Sequence, residues 1–210
     1  MSDAESPAPD IITLFPTRIH RALIVDSDLL AELKQSAEVL AVDDAAGIAW
    51  CRKNGYPGYT SYASLDDLPW RFPAFKALAK RIDAHARLFA KSLEYDLGGG
   101  KLVMDSLWVN VLPEGGFHAA HIHPHSVISG TFYVVVPRGA SAIRFEDPRH
   151  AMMMAAPPRR KSAARENQSF VSIAPEPGTL LLWESFLRHD VPMNRAASER
   201  ISISFNYNWV

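Results

Sequence analysis

Helical spacing stops near residue 97, and this break constrains the fold more than any other feature of the chain. Gly98-Gly99-Gly100 closes the helical part. Beyond Lys101 the apolar residues fall into short segments bounded by turn residues: Leu102–Leu112, Ala119–His123, Val127–Val136, Ser141–Phe145, Ser169–Ile173, Thr179–Trp183, His189–Pro192 and Ile201–Trp209. About eight strands in roughly 110 residues imply a sandwich or small barrel of the jelly-roll kind, in which pairing and closure leave few open strand edges. The expected class is mainly β, with flanking helices that buttress one face of the barrel.

Upstream, residues 1–10 read as a disordered tail and 11–97 as a helical segment packed on the 98–210 core, the whole forming one structural domain. Ile11 to Ile19 suits a short strand around Pro16. Asp26 or Ser27 is placed to cap a helix running to about Val42, with Leu29, Leu30, Leu33, Val39 and Leu40 on its apolar side. A longer helix is expected from Pro73, which suits a first helical turn, to about Tyr95, burying Phe75, Leu78, Ile82, Leu88, Phe89 and Leu93. Asn54–Tyr59 is turn and loop. The charged stretch Pro157–Gln168 reads as a solvated loop, with a lid over the site as the lesser alternative.

Composition narrows the partners. With 210 residues, 48% hydrophobic content and a net charge of −1, the chain can bury a full core. It has no general basicity, so nucleic acid is not an expected partner. A signal-like start is missing, as is any run of about 18 apolar residues, so no membrane association is expected. The single cysteine, Cys51, favours a reducing compartment, and a cytoplasmic location is expected. The apolar end Phe205–Val210 either finishes the barrel or continues a sheet across a homodimer.

Four of the eight histidines lie in the eight positions His118 to His125. If residues 119–123 are extended, His121 and His123 project from one face, because strand side chains alternate with period 2. Imidazole is the commonest ligand of catalytic transition metals. The cluster precedes the buried-strand pattern Val127–Val136, which puts it at the mouth of a β core. An incidental pair and an adventitious metal-binding tract are the competing readings. His125 shares the parity but follows Pro124, and is held as a reserve ligand or substrate contact; His118 has the other parity and is expected near the rim.

His189 opens a returning strand after Thr179–Trp183, where it can reach an ion held by His121 and His123. Three neutral nitrogens would leave coordination positions open, as oxygen chemistry requires. Arg200 and Ser202 share a face of the last strand, and a guanidinium beside a hydroxyl suits a carboxylate. If Arg200 is buried it needs an anion; the alternative is a surface residue paired with Glu199. Trp108, Asn110 and Tyr133 are pocket-wall candidates that could equally be barrel packing.

The order H-x-H, Ser129-Gly130-x-x-Tyr133, a distal His and Arg200-x-Ser202 resembles the Fe(II)/2-oxoglutarate-dependent oxygenase superfamily, whose fold is a cupin-like double-stranded β-helix. More narrowly, Trp108–Gly115, His121–Ser126, Asp147-Pro148-Arg149 and Arg200–Asn206 are similar to a little-characterised bacterial branch of these oxygenases. The resemblance implies Fe(II) bound by His121, His123 and His189, and 2-oxoglutarate held by Arg200 and Ser202 with Tyr133 and Asn110 nearby. It also implies molecular oxygen as co-reactant and a small-molecule or peptide substrate, contacted by Trp108 and His125 and hydroxylated with release of succinate and carbon dioxide. His123 stands where most members carry Asp or Glu. Asp105, Glu114, Asp147 and Asp190 are therefore candidates to complete or support the triad. A three-histidine cupin-like dioxygenase without 2-oxoglutarate and a non-catalytic metal- or acid-binding barrel are the alternatives.

Overall fold

The last strand of the chain runs through the middle of the larger sheet, and its alternation divides the molecule. A computed structural model describes residues 10–210, so the tail expected over 1–10 lies outside the described residues except for Asp10. The elements are β1 (Ile19–Leu23), α1 (Ser27–Asp43), α2 (Ala45–Lys53), β2 (Tyr59–Thr60), α3 (Leu68–Arg71), α4 (Pro73–Ser92), β3 (Leu102–Leu112), β4 (His118–His121), β5 (Ile128–Val135), β6 (Ile143–Glu146), β7 (Phe170–Ile173), β8 (Thr179–Glu184), β9 (His189–Val191) and β10 (Arg200–Trp209). Six strands form one antiparallel sheet in the order β1-β8-β5-β10-β3-β2; the other four form a second, β4-β9-β6-β7.

Both faces of the larger sheet are covered. Odd residues of β10 (Ile201, Ile203, Phe205, Tyr207) join Val109 and Val111 of β3, Phe132 and Val134 of β5 and Leu180 and Leu182 of β8 in a core packed against α1 and α4. Even residues of β10 face inward instead, toward the smaller sheet, where Tyr133, Leu181 and Trp183 meet Phe145 and Val191 in a second apolar cluster. β8, apolar on both faces from Leu180 to Trp183, reads as a continuous hydrophobic run, as doubly covered strands do, whereas β5 carries Ser129 and Thr131 on its inner face. β10 reads as alternating although neither face is solvated.

The helices form where capping and spacing direct. Asp26 caps α1, accepting from Leu29 N at 3.0 Å, and Pro73 opens α4. The stripes differ from expectation in detail. α1 buries Leu29, Leu33, Ala37 and Leu40, and leaves Val39 exposed. In α4 Ala86 takes the buried position expected of Leu88, because the stripe runs Leu78, Ile82, Ala86, Phe89 and Leu88 falls off it. The first strand begins at Ile19, after Pro16, and not at Ile11. The short α2 and α3 were not expected. β1 and β2 come from the helical segment yet form the two edges of the larger sheet. β10 pairs with β3 on one side and β5 on the other from Ile201 to Tyr207, so it finishes the barrel.

Candidate metal centre

β4 and β9 pair antiparallel with His121 directly opposite His189. Between His118 and His121 the register slips: three steps along β4 match two along β9, from Val191 to His189. That bulge turns His118 to the inner side despite its parity, so the expectation that it sits at the rim is corrected: it lines the cavity. β4 ends at His121, before the expected His123, yet His123 is still drawn in, because its backbone N–H donates to Ser185 O at 3.0 Å. Ring centroids lie 4.4 Å apart for His121 and His189, 5.1 Å for His121 and His123, and 5.2 Å for His123 and His189. One ligand nitrogen from each falls within 4.8 Å of the others.

Each of the three rings has one nitrogen committed. Nδ1 of His121 meets Ala119 O at 2.7 Å, Nδ1 of His189 meets Leu187 O at 2.8 Å, and Nδ1 of His123 meets Asn206 Oδ1 at 2.8 Å. All three partners are oxygens that can only accept, so each Nδ1 carries the proton and each Nε2 presents a lone pair. Nε2 of His123 is buried without a hydrogen-bond partner. Burial, then the His121 charge, pushes His123 down to about 4, with Asn206 acting in the opposite sense. The same two leading causes push His189 down to about 3. Both rings are therefore neutral at physiological pH, the form that ligates metal.

Asn206 was named in the sequence only as part of a motif, with no role. It accepts from Ser129 Oγ at 2.8 Å as well as from His123, and its Nδ2 donates to Ser106 Oγ at 3.2 Å. The available signal was its even position on β10, on the face of Arg200 and Ser202.

None of the four candidate carboxylates approaches the histidines. Asp105 and Glu114 are exposed. Asp190 is held by Arg144 through contacts of 2.7 and 2.9 Å, and Asp147 by Arg149 at 2.9 Å. Among the described residues no aspartate or glutamate lines the cavity, and His121, His123 and His189 are the group close enough together to hold an ion.

Arg200 lies at the start of β10, opposite Leu112, and is only 1% exposed. It makes no surface pair with Glu199. Its guanidinium carbon stands 4.8 Å from the Tyr133 ring centroid, while Nε and Nη1 are buried without partners, as is the Tyr133 hydroxyl. Ser202, one inward position along, is in register with both Tyr133 and Asn110, and Asn110 Nδ2 donates to Ser204 Oγ at 3.1 Å. A buried cation with unfilled donors is costly unless an anion completes it.

A single cavity of about 550 Å³ joins the two ends, lined by His121, His123, His189, Arg200, Ser202, Tyr133, Asn110 and Trp108. Trp108 stacks beside His123, ring centroids 5.9 Å apart, and takes Tyr62 edge-on at 5.1 Å. His125 does not line the cavity: after Pro124 the backbone turns left-handed there, φ 71°, and its side chain is exposed, which removes it as reserve ligand and as pocket contact. No residue of the 157–168 loop lines the cavity either, which leaves the solvated-loop reading.

Residues 106–206 match the family model described as "Putative 2OG-Fe(II) oxygenase". That segment, from β3 to β10, belongs to the Fe(II)/2-oxoglutarate-dependent oxygenase superfamily. Its cofactors are iron and 2-oxoglutarate and its chemistry is that of an oxidoreductase. The fold agrees. The epimerase SnoN in complex with Fe3+, alpha ketoglutarate and nogalamycin RO superposes with a TM-score of 0.64 at 17% identity, covering 92% of this chain and 79% of that one. A Pseudomonas putida prolyl-4-hydroxylase gives 0.59 at 14% identity over 91% and 93%. HygX from Streptomyces hygroscopicus, with nickel, 2-oxoglutarate and hygromycin B bound, gives 0.61 at 14% over 92% and 83%. No curated protein matches the sequence.

Proposed function

We propose that this oxygenase binds iron(II) through Nε2 of His121, His123 and His189, seats 2-oxoglutarate with its distal carboxylate on Arg200, and hydroxylates a small molecule or peptide entering past Trp108. One observation carries the reading: a buried, unpartnered guanidinium shares a cavity with three histidines whose free nitrogens converge. When bound, iron(II) supplies the coupling of oxygen reduction to decarboxylation of 2-oxoglutarate, giving succinate, carbon dioxide and a hydroxylated product.

The residues fit that load. Ala119 O, Leu187 O and Asn206 Oδ1 hold the imidazoles at fixed angles and in the ligating tautomer. Arg200 offers a planar fork to a carboxylate, and Ser202 and Tyr133 place hydroxyls at the same end. Trp108 excludes water beside His123. Cys51, buried and the sole cysteine, is compatible with the cytoplasmic location we assign. No helix among the described residues is long and apolar enough to cross a membrane.

Anaerobic addition of 2-oxoglutarate to the iron(II) protein tests the reading. A weak visible charge-transfer band is expected; no band and no affinity would leave a metal-binding barrel. The all-histidine set also suits a cupin-like dioxygenase that binds its substrate without 2-oxoglutarate. Decarboxylation of 2-oxoglutarate that stops in Arg200→Ala would exclude it.

A further inference from the structure

Tyr56 has no part in the site as assigned, and it belongs to the turn Asn54–Tyr59, upstream of the family-matched segment. That turn is pinned to the barrel. Tyr56 N donates to Cys51 O at 2.9 Å and Gly58 N to Tyr56 O at 3.0 Å. A Cβ at Gly58, φ 145°, would meet Val111 O at 2.4 Å, and one at Gly116 would meet Pro57 O at 2.7 Å. The turn therefore lies directly on β3 at Val111 and Leu112, and Leu112 is the register partner of Arg200.

From there the Tyr56 ring packs against the inner apolar cluster that contains Leu112, Tyr133 and Val191. Its hydroxyl lies 2.5 Å from His118 Nε2 and 3.3 Å from Asn110 Oδ1. Asn110 Oδ1 can only accept, so the phenol proton points to it over the longer contact, and His118 donates from Nε2–H to the phenol oxygen. The β4 bulge is what brings His118 over to make that bond. Two side chains from different layers thus meet across the Arg200 end of the cavity, and the Arg200 charge acts on both.

We infer that Tyr56, held in place by the positioning residue His118, roofs the carboxylate end of the cavity and sets the length of the 2-oxo acid that Arg200 accepts. The inference rests on the 2-oxoglutarate reading above. The ring blocks a longer acid, and the hydroxyl, its oxygen held by His118, turns its proton from the long Asn110 contact to a carboxylate beside the guanidinium.

Titration calorimetry of nickel(II)-loaded wild type, Tyr56→Phe and Tyr56→Leu with oxaloacetate, 2-oxoglutarate and 2-oxoadipate tests it without turnover. Wild type should prefer the five-carbon acid. Tyr56→Phe keeps the ring and should weaken all three by about tenfold, the scale of a lost hydrogen bond to a charged group. Tyr56→Leu keeps apolar packing but shortens the roof, and should raise the affinity for 2-oxoadipate relative to 2-oxoglutarate by about tenfold. Unaltered nickel stoichiometry in both variants separates the effect from loss of the metal centre. A selective wild type with equally selective, equally tight variants overturns the role of Tyr56 alone. A wild type that binds nickel but none of the three acids overturns the 2-oxoglutarate reading, and the roof with it.

Discussion

Asn206 decides which nitrogen of His123 is free, although it touches no ion itself. Asn206→Leu strands the His123 and Ser129 donors, so metal affinity is expected to fall by about 10- to 100-fold, with about 1–3 kcal/mol of stability lost; equilibrium dialysis and chemical denaturation read the two separately. Arg200→Lys keeps the charge but not the fork, and a tenfold or greater loss of 2-oxoglutarate affinity is expected at unchanged iron content. The histidines also couple the site to pH. In metal-free protein the unfolded chain takes up imidazole protons near pH 6.5, whereas His123 and His189 resist down to about 4 and 3. Over that interval the unfolded state binds more protons, so stability falls as pH drops from about 6.5 toward 4. Thermal melts in chelator across this range should show a declining midpoint, shallower in His189→Asn; a flat profile would contradict the assignment of buried neutral rings.

At the level of elements, β5 and β10 meet where Gly130 faces Phe205. A Cβ at Gly130 would lie 2.3 Å from Phe205 Cζ and 2.5 Å from the Leu181 carbonyl. The ring can shift but the carbonyl, part of the sheet, cannot. Gly130→Ala should destabilise by about 1–3 kcal/mol, visible as a lower urea midpoint. What the sequence disclosed follows the same division between local and cross-strand causes. The β region, the H-x-H pair and the β10 alternation are local patterns and were readable. His189 and Arg200 were readable through order and resemblance. Asn206 and Tyr56 act through side-chain partners at least 77 and 54 positions away in the chain, which no local period encodes. His118 was misplaced because a bulge breaks parity, and bulges leave little trace in composition. The nine-residue α2 was missed because its stripe holds just Gly47 and Cys51 as buried positions.

For the molecule as a whole, the N-terminal segment is a wall of the core and supplies both edges of the larger sheet. A fragment of residues 98–210 would expose Phe132, Leu180, Leu182, Ile203 and Phe205 to water and leave β8 and β3 with open edges. It is expected to aggregate on expression; a monomeric, cooperatively melting fragment would refute this. β10 ties that wall to the chemistry, since its odd residues bind the helices and its even ones build the cavity. Inserting or deleting one residue between 201 and 205 would drive phenylalanine toward the iron and Asn206 into grease, losing folding and catalysis together. Evolution can lengthen this protein at the exposed 157–168 stretch, but along its final strand it can exchange letters and never change their number.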